Sequence, residues 1–340
     1  MVILNWNGRA LLEKYLPGVV KHSMPYAEVF LAENASTDDS VAYVREYFPQ
    51  VHIIQNQDNG GYSRGYNQAL KHINAEFFVL LNSDIEVPAN WLKPVIDFMK
   101  EDPRLAACQP KIKDYTHPER FEYAGAAGGF IDKYGYPFCR GRLFTTLEQD
   151  EGQYDRSCEI FWASGACLFI RSKAFEEVGG LDESLFSHME EIDMCWRLKN
   201  MGYKIGYCAE SEVFHLGGGT LEAGNPRKTY YNFRNNLYMV FKNLPREKLI
   251  PIISVRLILD GIAGLKFLFG GQLRHIWPIL KAHFSFYRHL GSLIRSRRAL
   301  RMTSKRMKIY NAYKGSIALT YFLRGKKKFS DLDPKMFNEY

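Results

Sequence analysis

The sequence predicts an α/β fold, a mostly parallel sheet flanked by helices, with a basic helical extension at its C-terminal end. Three observations predict it. Short β-rich runs alternate with helix-length stretches over the first 110 residues, polar, glycine-rich or acidic segments follow the ends of those runs, and after about residue 245 apolar and basic residues mix at helical spacing. Sheets of this kind bind ligands at the carboxyl ends of their strands.

The strand candidates are Val2–Asn5, Glu28–Glu33, His52–Gln55, Phe77–Leu81 and Leu105–Gln109. Between them Arg9–His22, Ser40–Tyr47, Gly65–Ile73 and Asn90–Lys100 are long enough for helices. This order calls for parallel strands joined by right-handed crossovers. The first strand has almost nothing before it, which points to a start upstream of Met1. From Tyr115 to about Tyr154 glycines, Pro137 and aromatic residues suit hairpins and loops. Ile160–Ile170 reads as another strand, followed by a helix from near Ser172 to Gly179 and Gly180. Ser187, with Glu190 three residues on, has the spacing of a capping box and announces a further helix. Thr229–Asn243 reads as an aromatic-rich helix.

Hydrophobic residues make up 46% of the 340 and charged residues 24%, the balance of a folded protein with room for one large domain plus an appendage. The six cysteines show no CxxC pair and no zinc-ligand spacing, so they read as reduced thiols of a cytosolic protein. The N-terminus lacks the pattern of a secretory signal. Net charge is +8, yet residues 261–330 hold 16 Lys and Arg and no Asp or Glu, so the rest of the chain is net acidic. Such a tail suits a polyanionic surface, either anionic lipid or nucleic acid, or else a solvated helix face. Leu249–Gly271 is the most hydrophobic window, but Arg256, Asp260 and Lys266 interrupt it. A spanning helix wants about 20 largely uncharged residues, and each central charge costs about 2.5 to 3.5 kcal/mol, so helices lying on a membrane are expected.

Four segments are placed to carry chemistry. Glu33, Asn34, Ser36 and the acids after them follow the second strand; they suit either a ligand site or the turn and cap of the next helix. Asn59, Gly60, Arg64 and Asn67 lie in a glycine-rich entry to a helix, where backbone amides and the arginine favour a phosphate. That segment matches neither GxGxxG nor GxxxxGK[ST], which argues against a Rossmann cofactor or a P-loop. An apolar run delivers Asn82, Ser83 and Asp84 to a strand end, positioned for a hard cation bridging phosphates or for an Asx turn. Glu190, Glu191 and Asp193 open a helix, and their mutual repulsion favours one of them as a base. The capping box accounts for Glu190, leaving Glu191 as the catalytic candidate. His215 follows a later strand and precedes Gly217, Gly218 and Gly219, a placement that favours a site role.

These segments in this order resemble glycosyltransferase family 2, particularly its bacterial rhamnosyltransferase-like branch. The resemblance covers roughly residues 1–245 and includes Val2 to Gly8, Trp162 to Ala166, Gly179 to Glu183, Asp193 to Leu198 and Arg234 to Asn236. It implies a GT-A, Rossmann-like catalytic domain over 1–245 and an amphipathic basic extension over 246–340. It also implies a nucleoside-diphosphate sugar donor, with thymidine-diphosphate rhamnose favoured, and a divalent cation, Mg2+ or Mn2+. Glu33 would lie by the nucleobase, where the family usually has Asp. Asn82 to Asp84 stand where the family keeps its metal motif, and Asp84 with His215 would hold the cation. Glu191 would act as base in a single inverting displacement, although the family's acidic pair is usually Glu-Asp, and Arg234 would add a contact to the diphosphate. Related enzymes often carry basic aromatic helices, so Trp277, Phe284, Phe286, Tyr287, Tyr310, Tyr313, Tyr321 and Phe322 suggest a protein peripheral on the inner face of the cytoplasmic membrane, acting on a glycan or lipid-linked saccharide. Nucleic acid explains Arg295, Arg297, Arg298, Arg301, Lys305, Arg306 and Lys308 but not the site segments. Two rivals keep the site and change the outcome: a sugar-binding protein without turnover, and a nucleotidyltransferase.

Overall fold

The computed structural model describes residues 1–24, 26–217, 224–303 and 311–337. Gly218, Gly219, Lys305, Arg306, Lys308 and Tyr310 lie outside the described residues. The first half alternates β1 (Val2–Asn5), α1 (Arg9–Ser23), β2 (Phe30–Glu33), α2 (Ser40–Tyr47), β3 (His52–Gln55), α3 (Gly61–Leu70), β4 (Phe77–Asn82), β5 (Ile85–Glu86), α4 (Leu92–Glu101) and β6 (Leu105–Asp114). Short strands follow: β7 (Gly129–Asp132), β8 (Pro137–Cys139), β9 (Arg142–Leu143), β10 (Thr146–Leu147) and β11 (Cys158–Ile160). Then come β12 (Cys167–Arg171), α5 (Ser172–Glu177), α6 (Glu190–Asn200), β13 (Lys204–His215) and α7 (Pro226–Asn243). The C-terminal part holds α8 (Arg246–Phe269), α9 (Ile276–Arg288), α10 (Leu290–Thr303), β14 (Ala312–Tyr313) and α11 (Ile317–Phe322).

Among the described residues the main sheet has nine strands in the order β11-β13-β6-β12-β4-β1-β2-β3, with β5 beside β13. The pairs β1–β2, β2–β3, β1–β4 and β6–β13 are parallel, while β12 runs antiparallel between β4 and β6. Alternation along β4 divides the core. Phe78 and Leu80 pack with Tyr66, Ala69 and Leu70 of α3 on one face, and Val79 and Leu81 pack with Leu12, Leu16, Val95 and Met99 of α1 and α4 on the other. Because β1 to β4 run together, Asn5, Glu33, Gln55 and Asn82 end at one edge of the sheet.

Two expectations are corrected. The strand expected over Ile160–Ile170 is two strands, β11 and β12, separated by residues 161–166. The chain leaves the main sheet there because Phe161 and Trp162 pair with Gly129 of β7, and the buried Gln109 takes the Ser164 amide on its Oε1 at 2.9 Å while its Nε2 donates to the Gly125 carbonyl at 3.3 Å. The third helix begins at Gly61, four residues before the expected Gly65. Gly61 has φ +74°, and a Cβ there would stand 2.4 Å from the Phe186 carbonyl, so this left-handed entry requires glycine.

A second sheet, β10-β9-β8-β7-β14, takes its last strand from the C-terminal region. Ile317 donates its amide to Asp132, and Phe329 packs on Phe130 and Phe138, so the end of the chain returns to this sheet. Helix α8 is inverted relative to an ordinary surface helix. Its charged Arg256 and Asp260 are 2% and 0% exposed, whereas Ile258 and Phe269 are 64% and 85% exposed. Arg256 lies over Tyr136, and Asp260 accepts from Tyr136 Oη at 3.1 Å and faces His283 Nε2 at 3.3 Å. Thus two of the three residues that break the hydrophobic window in sequence, Arg256 and Asp260, face the protein, while Lys266 is exposed. Among the described residues no helix is long and apolar enough to cross a membrane.

Candidate active site

The sheet edge first builds a polar cradle from β1, β2 and the loop before α3. Asn5 Nδ2 donates to Glu33 Oε2 at 2.7 Å, and the Ser36 amide donates to Glu33 Oε1 at 2.7 Å. Glu33 is 2% exposed, and these bonds fix its carboxylate while leaving lone pairs for a further donor. Asn34 Nδ2 donates to Asn59 Oδ1 at 2.9 Å, and that oxygen also accepts the Gly61 amide at 3.0 Å. Glu33, Asn34, Ser36 and Asn59 are thereby brought together. Gly60 immediately precedes α3.

Asp84 and His215 meet because β5 pairs with the end of β13, placing Ile85 opposite His215. His215 Nε2 stands 3.1 Å from Asp84 Oδ1 and 3.5 Å from Asn82 Nδ2. On the other side of the ring Nδ1 lies 3.3 Å from Glu122 Oε1, within ion-pair distance but off line for a hydrogen bond. Burial alone would lower the His215 pKa; the Glu122 charge and the bond to Asp84 override it and raise it to about 10. Asp84 is held below the usual carboxylate range, since the His215 bond and charge outweigh burial.

Among the described residues no three His, Cys, Asp or Glu side chains form a closed metal cage. The donor set nonetheless fits a cation that shares its shell with a substrate. Two adjacent ligands about 2.1 Å from one ion stand about 3 Å apart, and Mg2+-type sites take one or two protein ligands plus phosphates and water. A carboxylate facing the second ring nitrogen is the usual outer partner of a metal-binding histidine. Glu122 carries no signal in the sequence: it sits in a loop with no site pattern, three residues after Glu119, and reaches His215 through the bridge between Lys113 and Phe121.

The acids of α6 enter from the other side. Ser187 does not cap this helix, contrary to expectation: α6 starts at Glu190, preceded by His188 and Met189 at φ 71° and 74°. Two successive left-handed residues turn the chain sharply, and Asn235 Nδ2 braces them by donating to the Ser187 and His188 carbonyls at 2.8 and 2.7 Å. Glu190 is buried rather than occupied at a cap, and Glu190 Oε2 and Glu191 Oε2 both lack partners. Burial pushes the Glu191 pKa up to about 7, against backbone amides that include Gly165. Burial and the Glu191 charge push Glu190 well above the ordinary range. The loop at 161–166 joins these acids to the sheet edge: Ala166 accepts the Asn82 amide at 2.9 Å, and Gly165 accepts Tyr62 Oη at 2.6 Å.

Three expected residues have other partners. Arg64 pairs with Asp58 at 3.1 Å, Asn67 bonds Leu181 through both amide atoms, and Arg234 donates to Ser184 and Asn235 while lying near Tyr230, Tyr231 and Tyr238. Behind α6 is a buried ion network. Asp193 bonds Arg197 at 2.7 Å and Asn243 at 2.8 Å, and Lys242 reaches Asp193 at 3.0 Å and Asp182. Replacing Lys242 with Met leaves the buried Asp193 and the half-buried Asp182 short of a cation, so urea unfolding should show a loss of about 3 to 5 kcal/mol.

Fold and site together have the architecture of a GT-A glycosyltransferase. The model of glycosyl transferase family 2 matches residues 1–179, more than half of the chain, and the chain belongs to that family. It is 26% identical over 218 residues to N-acetylglucosaminyl-diphospho-decaprenol L-rhamnosyltransferase of Mycobacterium tuberculosis, covering 60% of this chain and 71% of that one. In fold it is similar to GalNAc-T7 with UDP, GalNAc and Mn2+, with TM-score 0.55 and 19% identity, covering 73% of this chain but 48% of that one. It is also similar to mannosyltransferase PcManGT of Pyrobaculum calidifontis with GDP-Man and Mn2+, with TM-score 0.51 and 15% identity over 88% of this chain and 85% of that one.

Proposed function

We propose that the protein transfers a sugar from a nucleoside-diphosphate sugar, thymidine-diphosphate rhamnose in the leading case, to a lipid-linked or polysaccharide acceptor, inverting the anomeric carbon. The observation that carries this reading is the Glu191 carboxyl, its Oε2 unpartnered and its pKa raised to about 7, at the start of α6 against Gly165 of the loop that also bonds the end of β4 beside Asp84. Glu191 accepts the proton of the acceptor hydroxyl as its oxygen bonds the anomeric carbon and the bond to the diphosphate oxygen breaks. Asp84 and His215 hold the divalent cation, with Glu122 orienting the imidazole. When bound, Mg2+ or Mn2+ supplies positive charge to the departing diphosphate. Glu33, Asn34 and Asn59 take the nucleoside. Arg64, Asn67 and Arg234 serve this site at one remove, by bracing the loops around it.

The test is a panel of nucleotide sugars with a lipid-linked saccharide. Metal-dependent release of nucleoside diphosphate supports transfer; release of pyrophosphate would mean nucleotidyl transfer, and binding without release a carrier.

The outward face of α8 and α9 supports a seat on the cytoplasmic membrane. Phe269, Leu273, Trp277 and Phe284 are exposed beside Lys266, Arg274, Lys281 and Arg288, with no acid between residues 261 and 330. Phe269 and Trp277 are 85% and 70% exposed, so changing both to Ser leaves the core intact. Burying such side chains is worth about 1.5 to 3 kcal/mol each, so sedimentation with phosphatidylglycerol vesicles should weaken at least about tenfold. Undiminished binding by the double variant would rule out this face.

A further inference from the structure

Beside the catalytic groups lie two cations, Arg142 and Lys228, gathered around one exposed ring. Tyr123 is 49% exposed, with the Arg142 guanidinium carbon 4.2 Å from its ring centroid and Lys228 Nζ 5.9 Å from it. Neither cation makes an ion pair among the described residues. Arg142 donates to the Phe144 carbonyl at 3.1 Å and to Cys139 Sγ at 3.6 Å, and its buried Nε has no partner. Glu122 is a carboxylate whose charge reaches both cations. It is already engaged, however, accepting the Ala124 amide at 2.5 Å and facing His215. His188 adds no negative charge, and its buried Nε2 is also without a partner. Two cations gathered at one ring repel each other, and an anion entering between them would relieve that repulsion.

The position of this face says which substrate it serves. In the sheet order, Asp84 follows β4, the nucleoside cradle is built on β1, β2 and β3 to one side, and β6 and β13 lie to the other. Arg142 belongs to the second sheet and Lys228 to α7, and Tyr123 is next to Glu122, the partner of His215 at the end of β13. Ser164 Oγ bonds the Ala124 carbonyl, tying this loop to the segment that holds Glu191. We propose that Arg142, Lys228 and Tyr123 form a subsite for a phosphate or diphosphate group carried by the acceptor, across Asp84 from the nucleoside cradle. This rests on the glycosyl-transfer reading and deepens it: the acceptor is a phosphorylated, lipid-linked saccharide, and the cations place its hydroxyl at Glu191.

The test uses the full chain saturated with Mg2+ and the nucleoside diphosphate that binds it best, titrated with farnesyl diphosphate and, separately, with farnesol. Lys228→Gln, in the first turn of α7, and the double variant Arg142→Gln/Lys228→Gln are compared with the unaltered protein. Farnesyl diphosphate is expected to bind better than farnesol, to weaken at least about fivefold in the single variant and further in the double, with nucleotide affinity unchanged. Equal affinity for the two probes, or farnesyl diphosphate binding unaltered in Lys228→Gln, overturns the subsite. Loss of nucleotide affinity in Lys228→Gln would also overturn it, assigning the cations to the donor. Absence of nucleotide binding in the unaltered protein is a different failure, that of the transfer reading itself.

Discussion

Glu191→Gln should lower sugar transfer by at least about 100-fold, the usual span of general-base catalysis, while nucleoside-diphosphate affinity stays unchanged. Its effect on stability runs the other way. The Glu191 pKa rises from 4.5 to about 7 on folding, so between those values the folded state holds more protons than the unfolded one, and stability falls as pH rises through the window. Above pH 7 the ionised carboxylate carries the full cost, on the order of 1 to 3 kcal/mol, which neutral Gln escapes. The variant should therefore resist urea better than the unaltered protein at pH 8, with the difference disappearing near pH 4. Transfer by the unaltered enzyme should rise with pH through about 7 as Glu191 loses its proton. Glu190 is also pushed well above the ordinary carboxylate range, by burial and by the Glu191 charge. Retained turnover in Glu191→Gln, or a collapse in Glu190→Gln alone, would reverse these roles. Because the two carboxyls share one environment, the pH profile reports them as a pair.

The strands at the sheet edge were legible because local pattern and tertiary role agree there. His52–Gln55 and Ser40–Tyr47 have the expected bounds, and Asp84 follows its apolar strand. What could not be read was set by contacts distant in sequence. The start of α6 depends on a left-handed turn braced by Asn235, so a local capping pattern at Ser187 misleads. With that cap gone, Glu190 and Glu191 are alike in having an unpartnered Oε2, and the two Gln variants decide between them. Glu122 reaches His215 only through the folded hairpin region. Arg256 and Asp260 read as interruptions of an apolar helix, yet they point inward because Tyr136 and His283 supply partners. Composition predicted the basic, aromatic tail but not which of its faces is outward.

Asp84→Asn should abolish the gain in nucleoside-diphosphate affinity that Mn2+ or Mg2+ provides, with metal-free affinity retained. The substitution keeps the side chain's size and an oxygen near His215 Nε2, 3.1 Å away in the unaltered protein, but removes the negative charge that draws a hard cation. Calorimetric titration with and without the metal separates the two contributions without relying on turnover. Glu122→Gln provides the graded comparison. It leaves Asp84 and His215 in place but weakens the hold on Nδ1, and loss of an outer partner costs about 10- to 100-fold in metal affinity. The metal-dependent gain should therefore fall from the unaltered protein to Glu122→Gln and vanish in Asp84→Asn. A gain undiminished in Asp84→Asn would remove Asp84 from the metal site. A full gain in Glu122→Gln together with loss in Asp84→Asn would keep the ion there but make Glu122 only the counter-charge of the metal-free imidazolium.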